Sequence, residues 1–162
     1  MTRVVRPDPY WLVAVGLVVA DQLTKYLVGR MGQPLELPGL SVGEVINQEG
    51  VFGLDVSNEA LIAVGVLICV AVGAALILDA RKPPARLGCW LLLGGAFSNT
   101  LDRIFHGGVV DIISIVDLSR FNLADVMILL GALSLLRALW WKDTEGRAYR
   151  TDQSPAGRRD GG

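Results

Sequence analysis

The stretch from Ala60 to Leu78 carries no charged and no strongly polar residue. Wound as a helix at about 1.5 Å per residue, it spans about 28 Å, the hydrocarbon thickness of a bilayer. Lipid offers no partner to an unpaired backbone group, so the segment is predicted to be a helix. Three further segments, residues 10–28, 87–105 and 122–141, are apolar over a similar length but punctuated by polar residues near one end. Composition agrees: 52% of the chain is hydrophobic and 19% charged, against roughly 45–50% and 25% in soluble domains. The expected fold is an all-α membrane protein, a four-transmembrane-helix bundle occupying residues 1–142. Residues 143–162, rich in Gly, Arg and Asp, read as a disordered cytoplasmic tail.

Basic residues orient the bundle. With both termini cytoplasmic, Arg3, Arg6, Arg81, Lys82, Arg86, Arg137, Lys142, Arg147, Arg150, Arg158 and Arg159 lie inside, leaving Lys25, Arg30, Arg103 and Arg120 toward the outside. That asymmetry is what the positive-inside rule requires. Arg3 and Arg6 followed by an apolar stretch ending at Ala20 also fit a cleaved signal peptide, which would leave three spans. The first outer loop, residues 30–58, is broken by Pro34, Pro38, Gly39, Gly43, Gly50 and Gly53, with short strands expected at Leu35–Leu37 and Ser41–Ile46. A small extracytoplasmic β-sheet on the membrane surface follows from these, and Ser57 or Asn58 caps the next helix. In the second outer loop, residues 106–121, the apolar segment 109–118 is expected to lie in the interface.

Several function classes drop out. A net charge of −1 gives no basic surface for nucleic acid, and the single histidine, His106, excludes a histidine-based metal cluster. Cys69 and Cys89 sit inside apolar runs, where free thiols pack as small hydrophobes. Trp140 and Trp141 fit an aromatic belt at the inner interface.

The polar residues inside the spans converge. Spans one and three run outward, so Asp21 and Lys25, and Asn99, Asp102 and Arg103, fall near their outer ends; span four runs inward, so Asn122 and Asp125 fall near its outer end. Spacings of three and four residues put each set on one helix face. An ionised side chain at mid-bilayer costs roughly 2.5–3.5 kcal/mol on insertion scales, so such groups pair, line a wet cavity or carry function. Structural readings stand beside the functional one. Asn122 and Asp125 suit an N-cap and its N3 partner, Asp21 with Lys25 and Asp102 with Arg103 suit interhelical ion pairs, and Asp111 suits a solvated loop acid. A proton- or ion-coupled small carrier is the alternative function, although it predicts acids spread through the membrane depth.

Five segments, in order, resemble the lipoprotein signal peptidases (type II signal peptidases) over residues 10–141. Asp21-Gln22-Leu23-Thr24-Lys25 is similar to the family's D-x-x-T-K, and Asn47-Gln48-Glu49-Gly50-Val51-Phe52-Gly53 to its N-x-x-G-x-F-G, with Val51 where alanine is common. Gly94 to Arg103 resembles G-G-A-x-x-N-x-x-D-R, Val109-Val110-Asp111 resembles V-V-D, and Phe121 to Asp125 resembles F-N-x-A-D. The resemblance implies a membrane aspartic endopeptidase of the bacterial inner membrane, using no metal or cofactor. It implies a catalytic dyad of Asp111 and Asp125 near the outer leaflet, with Asn47, Gly50, Asn99, Asp102, Arg103 and Asn122 positioning substrate and Asp21 and Lys25 in support. Its expected substrate is a diacylglyceryl-modified prolipoprotein, met within the membrane lipid and cut just before the lipidated cysteine, and globomycin is the expected inhibitor.

Overall fold

The computed structural model describes residues 9–49, 56–78, 83–116 and 119–152 of the 162-residue chain. Helix α1 runs Tyr10–Gly29, α2 Asn58–Leu78, α3 Pro83–His106 and α4 Leu123–Asp152. Strands β1 (Leu35–Leu37) and β2 (Leu40–Asn47) lie between α1 and α2, and β3 (Val109–Ile115) and β4 (Ser119–Phe121) lie between α3 and α4. Among the described residues α1 and α2 are each long and apolar enough to cross a bilayer.

Burial is inverted relative to a protein dissolved in water. On α1, Val19 is 59% and Leu27 54% exposed, whereas Asp21 is fully buried and Lys25 only 5% exposed. Leu67 and Val70 of α2 and Leu129, Leu133 and Leu136 of α4 also point outward. An apolar surface this continuous is far beyond what a monomer tolerates in water and is stable against lipid tails. Charge is kept inside because lipid solvates it worse than a paired protein interior does. The placement of Asp21 and Lys25 in the core makes α1 part of the fold described here.

Helix α3 is central, touching α1, α2 and α4, and it packs most extensively against α4. Small residues permit that approach. A Cβ on Gly95 would lie 2.5 Å from the Ala124 carbonyl oxygen, and one on Gly131 would lie 2.8 Å from the Gly88 carbonyl oxygen. With backbones this close, van der Waals contact replaces the hydrophobic drive that lipid removes.

The four strands form one antiparallel sheet in the order β1-β2-β3-β4. Both expected strands of the first loop are present, with Pro38-Gly39 turning β1 into β2 and Gly39 at φ 80°, a value glycine adopts without strain. Within the apolar segment 109–118, residues Val109–Ile115 form β3, which pairs with both β2 and β4. Its β-branched residues suit a strand, and Val109, Val110, Asp111 and Ile112 are all buried, so it reads as a continuous apolar run rather than an alternating one. Gly107, at φ 75°, stops α3 and turns the chain into β3.

Other expectations are adjusted in detail. Ser57 caps α2, its Oγ accepting the Ala60 N–H at 3.3 Å. Helix α4 continues through Asp152, so residues 143–152 are helical where composition suggested disorder; Glu145, Arg147, Ala148 and Arg150 are good helix formers and extend a helix already nucleated. Residues 153–162 lie outside the described residues. Both cysteines are free, Cys89 buried and Cys69 half-buried.

Replacing Gly95 by Val is expected to drive α3 from α4 and destabilise the protein by about 1–3 kcal/mol. Gly16→Ala, where a Cβ meets nothing within 4 Å, is expected to leave the thermal unfolding midpoint in detergent unchanged or slightly raised. Equal midpoints for the two variants would contradict the close packing.

Candidate active site

Two polar clusters lie back to back where α1, α3, β3 and the start of α4 meet. The first is ionic. Lys25 Nζ lies 2.6 Å from Asp21 Oδ2 and 2.6 Å from Asp102 Oδ2. Asp21 and Lys25 are one turn apart on α1, and Asp102 faces them from α3. Ser98 Oγ donates to Asp21 Oδ2 at 2.7 Å, and Gln22 Nε2 donates to Asp102 Oδ1 at 2.9 Å. Two backbone N–H groups complete the cluster: Ala124 donates to Asp21 Oδ1 at 3.0 Å and Val110 to Asp102 Oδ2 at 3.2 Å. Each buried carboxylate is thereby satisfied by several donors, as burial of a charge demands.

The expected Asp102–Arg103 pair does not form. Adjacent residues on a helix point in different directions, and Asp102 turns inward to Lys25 while Arg103 turns to the outer loop. Arg103 Nη2 donates to the Glu49 carbonyl at 3.0 Å and Nη1 to Asn58 Oδ1 at 3.4 Å, while Asn58 Nδ2 donates to the Arg103 carbonyl at 3.0 Å. Arg103 thus grips the chain on either side of residues 50–55. Gly50 and Val51 lie outside the described residues.

The second cluster contains two carboxyl groups and three asparagines. Asp111, on β3, is 2% exposed rather than a solvated loop acid. Its Oδ2 accepts from Asn47 Nδ2 at 3.1 Å and its Oδ1 from Asn122 Nδ2 at 3.2 Å. Asn47 pairs with Val109 across β2 and β3, so Asp111 is its diagonal neighbour on one sheet face. Asp125, in the first turn of α4, accepts at Oδ1 from Asn99 Nδ2 at 2.8 Å. Its Oδ2 accepts the Asn122 backbone N–H at 3.1 Å, and Asn122 Oδ1 accepts the Asp125 N–H at 3.0 Å. The N-cap reading is therefore realised as a reciprocal capping box, and it consumes only one carboxylate oxygen of Asp125. Asn122 is the shared element, since its side-chain amide also reaches Asn99 Oδ1 and the Val110 carbonyl, both at 3.2 Å.

Burial lifts the Asp111 carboxyl above the ordinary carboxylate range, against the Asn47 amide, which favours the ionised form. The charge of Asp125 pushes Asp111 further up, and the Lys25 ammonium and the Asn122 amide oppose it. Two carboxyl groups within each other's field, surrounded by amides, can hold one proton between them, one group acting as acid and the other as base. Among the described residues no group of three or more His, Cys, Asp or Glu side chains is placed to hold a metal ion.

The structure brings together Asp21, Lys25, Asn47, Asn99, Asp102, Asp111, Asn122 and Asp125, and sets Arg103 at the rim. Ser98, Gln22 and Asn58 were not singled out from the sequence as site residues. Ser98 lies four residues before Asp102, and Gln22 three before Lys25, so a search for hydrogen-bond donors on the charged helix faces finds these two.

A helical membrane protein with two amide-held carboxyl groups beside a buried ion cluster carries the groups that acid–base chemistry at a membrane requires. Comparison with known proteins narrows the class. The family described as Signal peptidase (SPase) II matches residues 13–141. A lipoprotein signal peptidase of Moorella thermoacetica is 36% identical, the match covering 78% of this chain and 89% of the relative. One from Hydrogenovibrio crunogenus is 31% identical, covering 89% and 92%. A bacterial membrane enzyme solved by the in meso method at 2.3 Å resolution superposes with a TM-score of 0.73 at 26% identity, covering 94% of each chain. A second, solved by the same method at 1.9 Å, gives 0.70 at 28% identity, covering 80% of this chain and 91% of that one. The chain belongs to the signal peptidase II family, and it is an aspartic peptidase of a bacterial membrane. The carrier alternative receives no support.

Lys25→Met would strand two buried carboxylates and is expected to destabilise the fold by about 3–5 kcal/mol, the usual cost of breaking a buried pair from one side. Thermal unfolding of the purified protein in detergent checks it; an unchanged midpoint would mean that the ammonium is not a buried counter-ion.

Proposed function

We propose that this chain removes the signal peptide from diacylglyceryl-modified prolipoproteins, cutting just before the lipidated cysteine, with Asp111 and Asp125 as its catalytic dyad. The observation that carries this reading is the joint grip of Asn122 on both acids, its side-chain amide on Asp111 and its backbone N–H on Asp125. One residue thereby ties β3 to the first turn of α4. Membership of the family and the names of its relatives supply the substrate class.

The chemistry follows from the pair. Water held between the carboxyl groups loses a proton to the ionised member as its oxygen attacks the carbonyl carbon preceding the cysteine. The protonated member delivers its proton toward the leaving nitrogen as the C–N bond breaks. The products are a signal peptide with a new carboxyl terminus and a lipoprotein with a free amine on its lipidated cysteine. Asn47, Asn99 and Asn122 keep the acids oriented and, with Arg103 and the loop around Gly50, position the substrate chain. Titration belongs to the pair rather than to either member.

The same reading places four spans, α1 to α4, in the bacterial inner membrane with both termini cytoplasmic, supported by the distribution of Lys and Arg. The dyad then lies near the outer leaflet, at the depth where the diacylglyceryl chains anchor the substrate cysteine, so no lipid crosses the membrane. Globomycin is the expected inhibitor at this site.

Asp111→Asn or Asp125→Asn is expected to lower kcat at least about a thousandfold, within the roughly 10²–10⁴ that general acid–base groups contribute, in a cleavage assay of a diacylglyceryl-modified prolipoprotein in detergent. Cleavage by both variants at the unmodified rate would refute the dyad.

A pH profile tests the electrostatics. Activity is expected between the two macroscopic pKa values of the pair, lost as pH falls and both groups protonate, and lost as pH rises and both ionise. The Asn47 amide favours ionised Asp111, so Asn47→Ala raises the proton affinity of the pair and moves the acidic limb of kcat/KM to higher pH. A shift to lower pH would contradict the assignment.

A further inference from the structure

The ionic cluster is joined to the acid pair by a feature that repeats on both sides. The residue immediately before Asp111 is Val110, and its N–H is held by Asp102 at 3.2 Å. The residue immediately before Asp125 is Ala124, and its N–H is held by Asp21 at 3.0 Å. Both carboxylates are in turn held by one ammonium, Lys25, at 2.6 Å each. An unbroken path of polar contacts therefore runs from the peptide beside one aspartate, through Asp102, Lys25 and Asp21, to the peptide beside the other. Every side chain on it is buried to 5% exposure or less. Asn122 links the two aspartates from the substrate side, and this path links them from behind.

We propose that Asp21, Lys25 and Asp102 form a single strut that fixes the spacing of the two catalytic aspartates by clamping the backbone N–H of the residue preceding each; they are positioning residues rather than participants in proton transfer. The inference rests on the dyad reading above. A buried ammonium gives the strut stiffness, because contacts made out of water are strong and their rupture leaves bare charges behind. What each carboxylate supplies to its peptide is an acceptor oxygen, which a carboxamide also has, so charge and acceptor roles separate by substitution.

The test compares Asp102→Ala with Asp102→Asn in the full-length protein, measuring kcat and KM for a diacylglyceryl-modified prolipoprotein and the unfolding midpoint. Alanine frees the Val110 peptide, and kcat is expected to fall at least about a hundredfold with KM within about threefold, the signature of misplacement by a fraction of an ångström to an ångström. Asparagine returns an acceptor to Val110 and is expected to recover at least about tenfold of the lost kcat. A folded Asp102→Ala with smaller loss, a loss that falls on KM, or an Asp102→Asn no better than alanine would each overturn the strut. Should Asp102→Ala not fold, Asp21→Ala and Asp21→Asn make the same comparison at the Ala124 end. Should neither alanine variant fold, the asparagine variants decide: a kcat loss under about a hundredfold supports the strut, and a larger loss overturns it. Asp111→Asn and Asp125→Asn run alongside; if these remain active the dyad itself fails, whereas if they are inactive and the Asp102 and Asp21 variants behave otherwise than stated, only the strut fails.

Discussion

One lysine ammonium buried between two carboxylates is the contact on which the rest of the molecule depends. Lys25 joins α1 to α3 through Asp102, and Asp21 joins α1 to the first turn of α4 through the Ala124 N–H. In lipid there is no hydrophobic drive between helices, so the bundle relies on close backbone packing and on polar contacts of this kind. Gly88, Gly95 and Gly131 supply the first between α3 and α4. The ion cluster supplies the second and is the only part of α1 outside Ala14 that is fully enclosed.

The four buried or half-buried acids at this end of the bundle separate into two pairs by the company they keep. Asp21 and Asp102 face an ammonium, a hydroxyl, an amide and two peptide N–H groups. Asp111 and Asp125 face asparagine amides, and Asp111 lies within the field of the Asp125 charge. Amides orient a carboxyl group without supplying a full counter-charge, so a proton can reside in the second pair and move. Neighbouring carboxyl groups placed in different environments are what divides structural from chemical roles.

The outer sheet serves the same end. Its third strand carries Asp111 between Val110 and Ile112, both buried, and its second strand brings Asn47 into diagonal register with that acid. Arg103 then fastens the loop that leaves β2 by holding Glu49 and Asn58. The sheet gives the acid a backbone paired with β2 at Val45, while β4 holds the strand farther on, at Ile113 to Ile115.

Much of this was legible before any coordinates. The uninterrupted run from Ala60 to Leu78 dictates a helix, the i,i+4 spacing of Asp21 and Lys25 dictates a shared face, and Asn122 with Asp125 spells out a capping box, because each depends only on local periodicity. Strands β1 and β2 follow from their bounding Pro and Gly residues for the same reason. What one-dimensional reasoning could not settle is the choice among partners. Asp102 had Arg103 beside it in sequence, yet its counter-ion is Lys25, a whole helix away. Asp111 resembled any acid in a loop until β3 was paired on both edges and buried. Ser98, Gln22 and Asn58 acquire meaning only from the charges they approach across helices. Sequence determined which residues are polar and on which helix face; the tertiary structure alone decided which of them meet, because hydrogen bonds and ion pairs reach only about 3 Å and are made by folding, not by spacing along the chain.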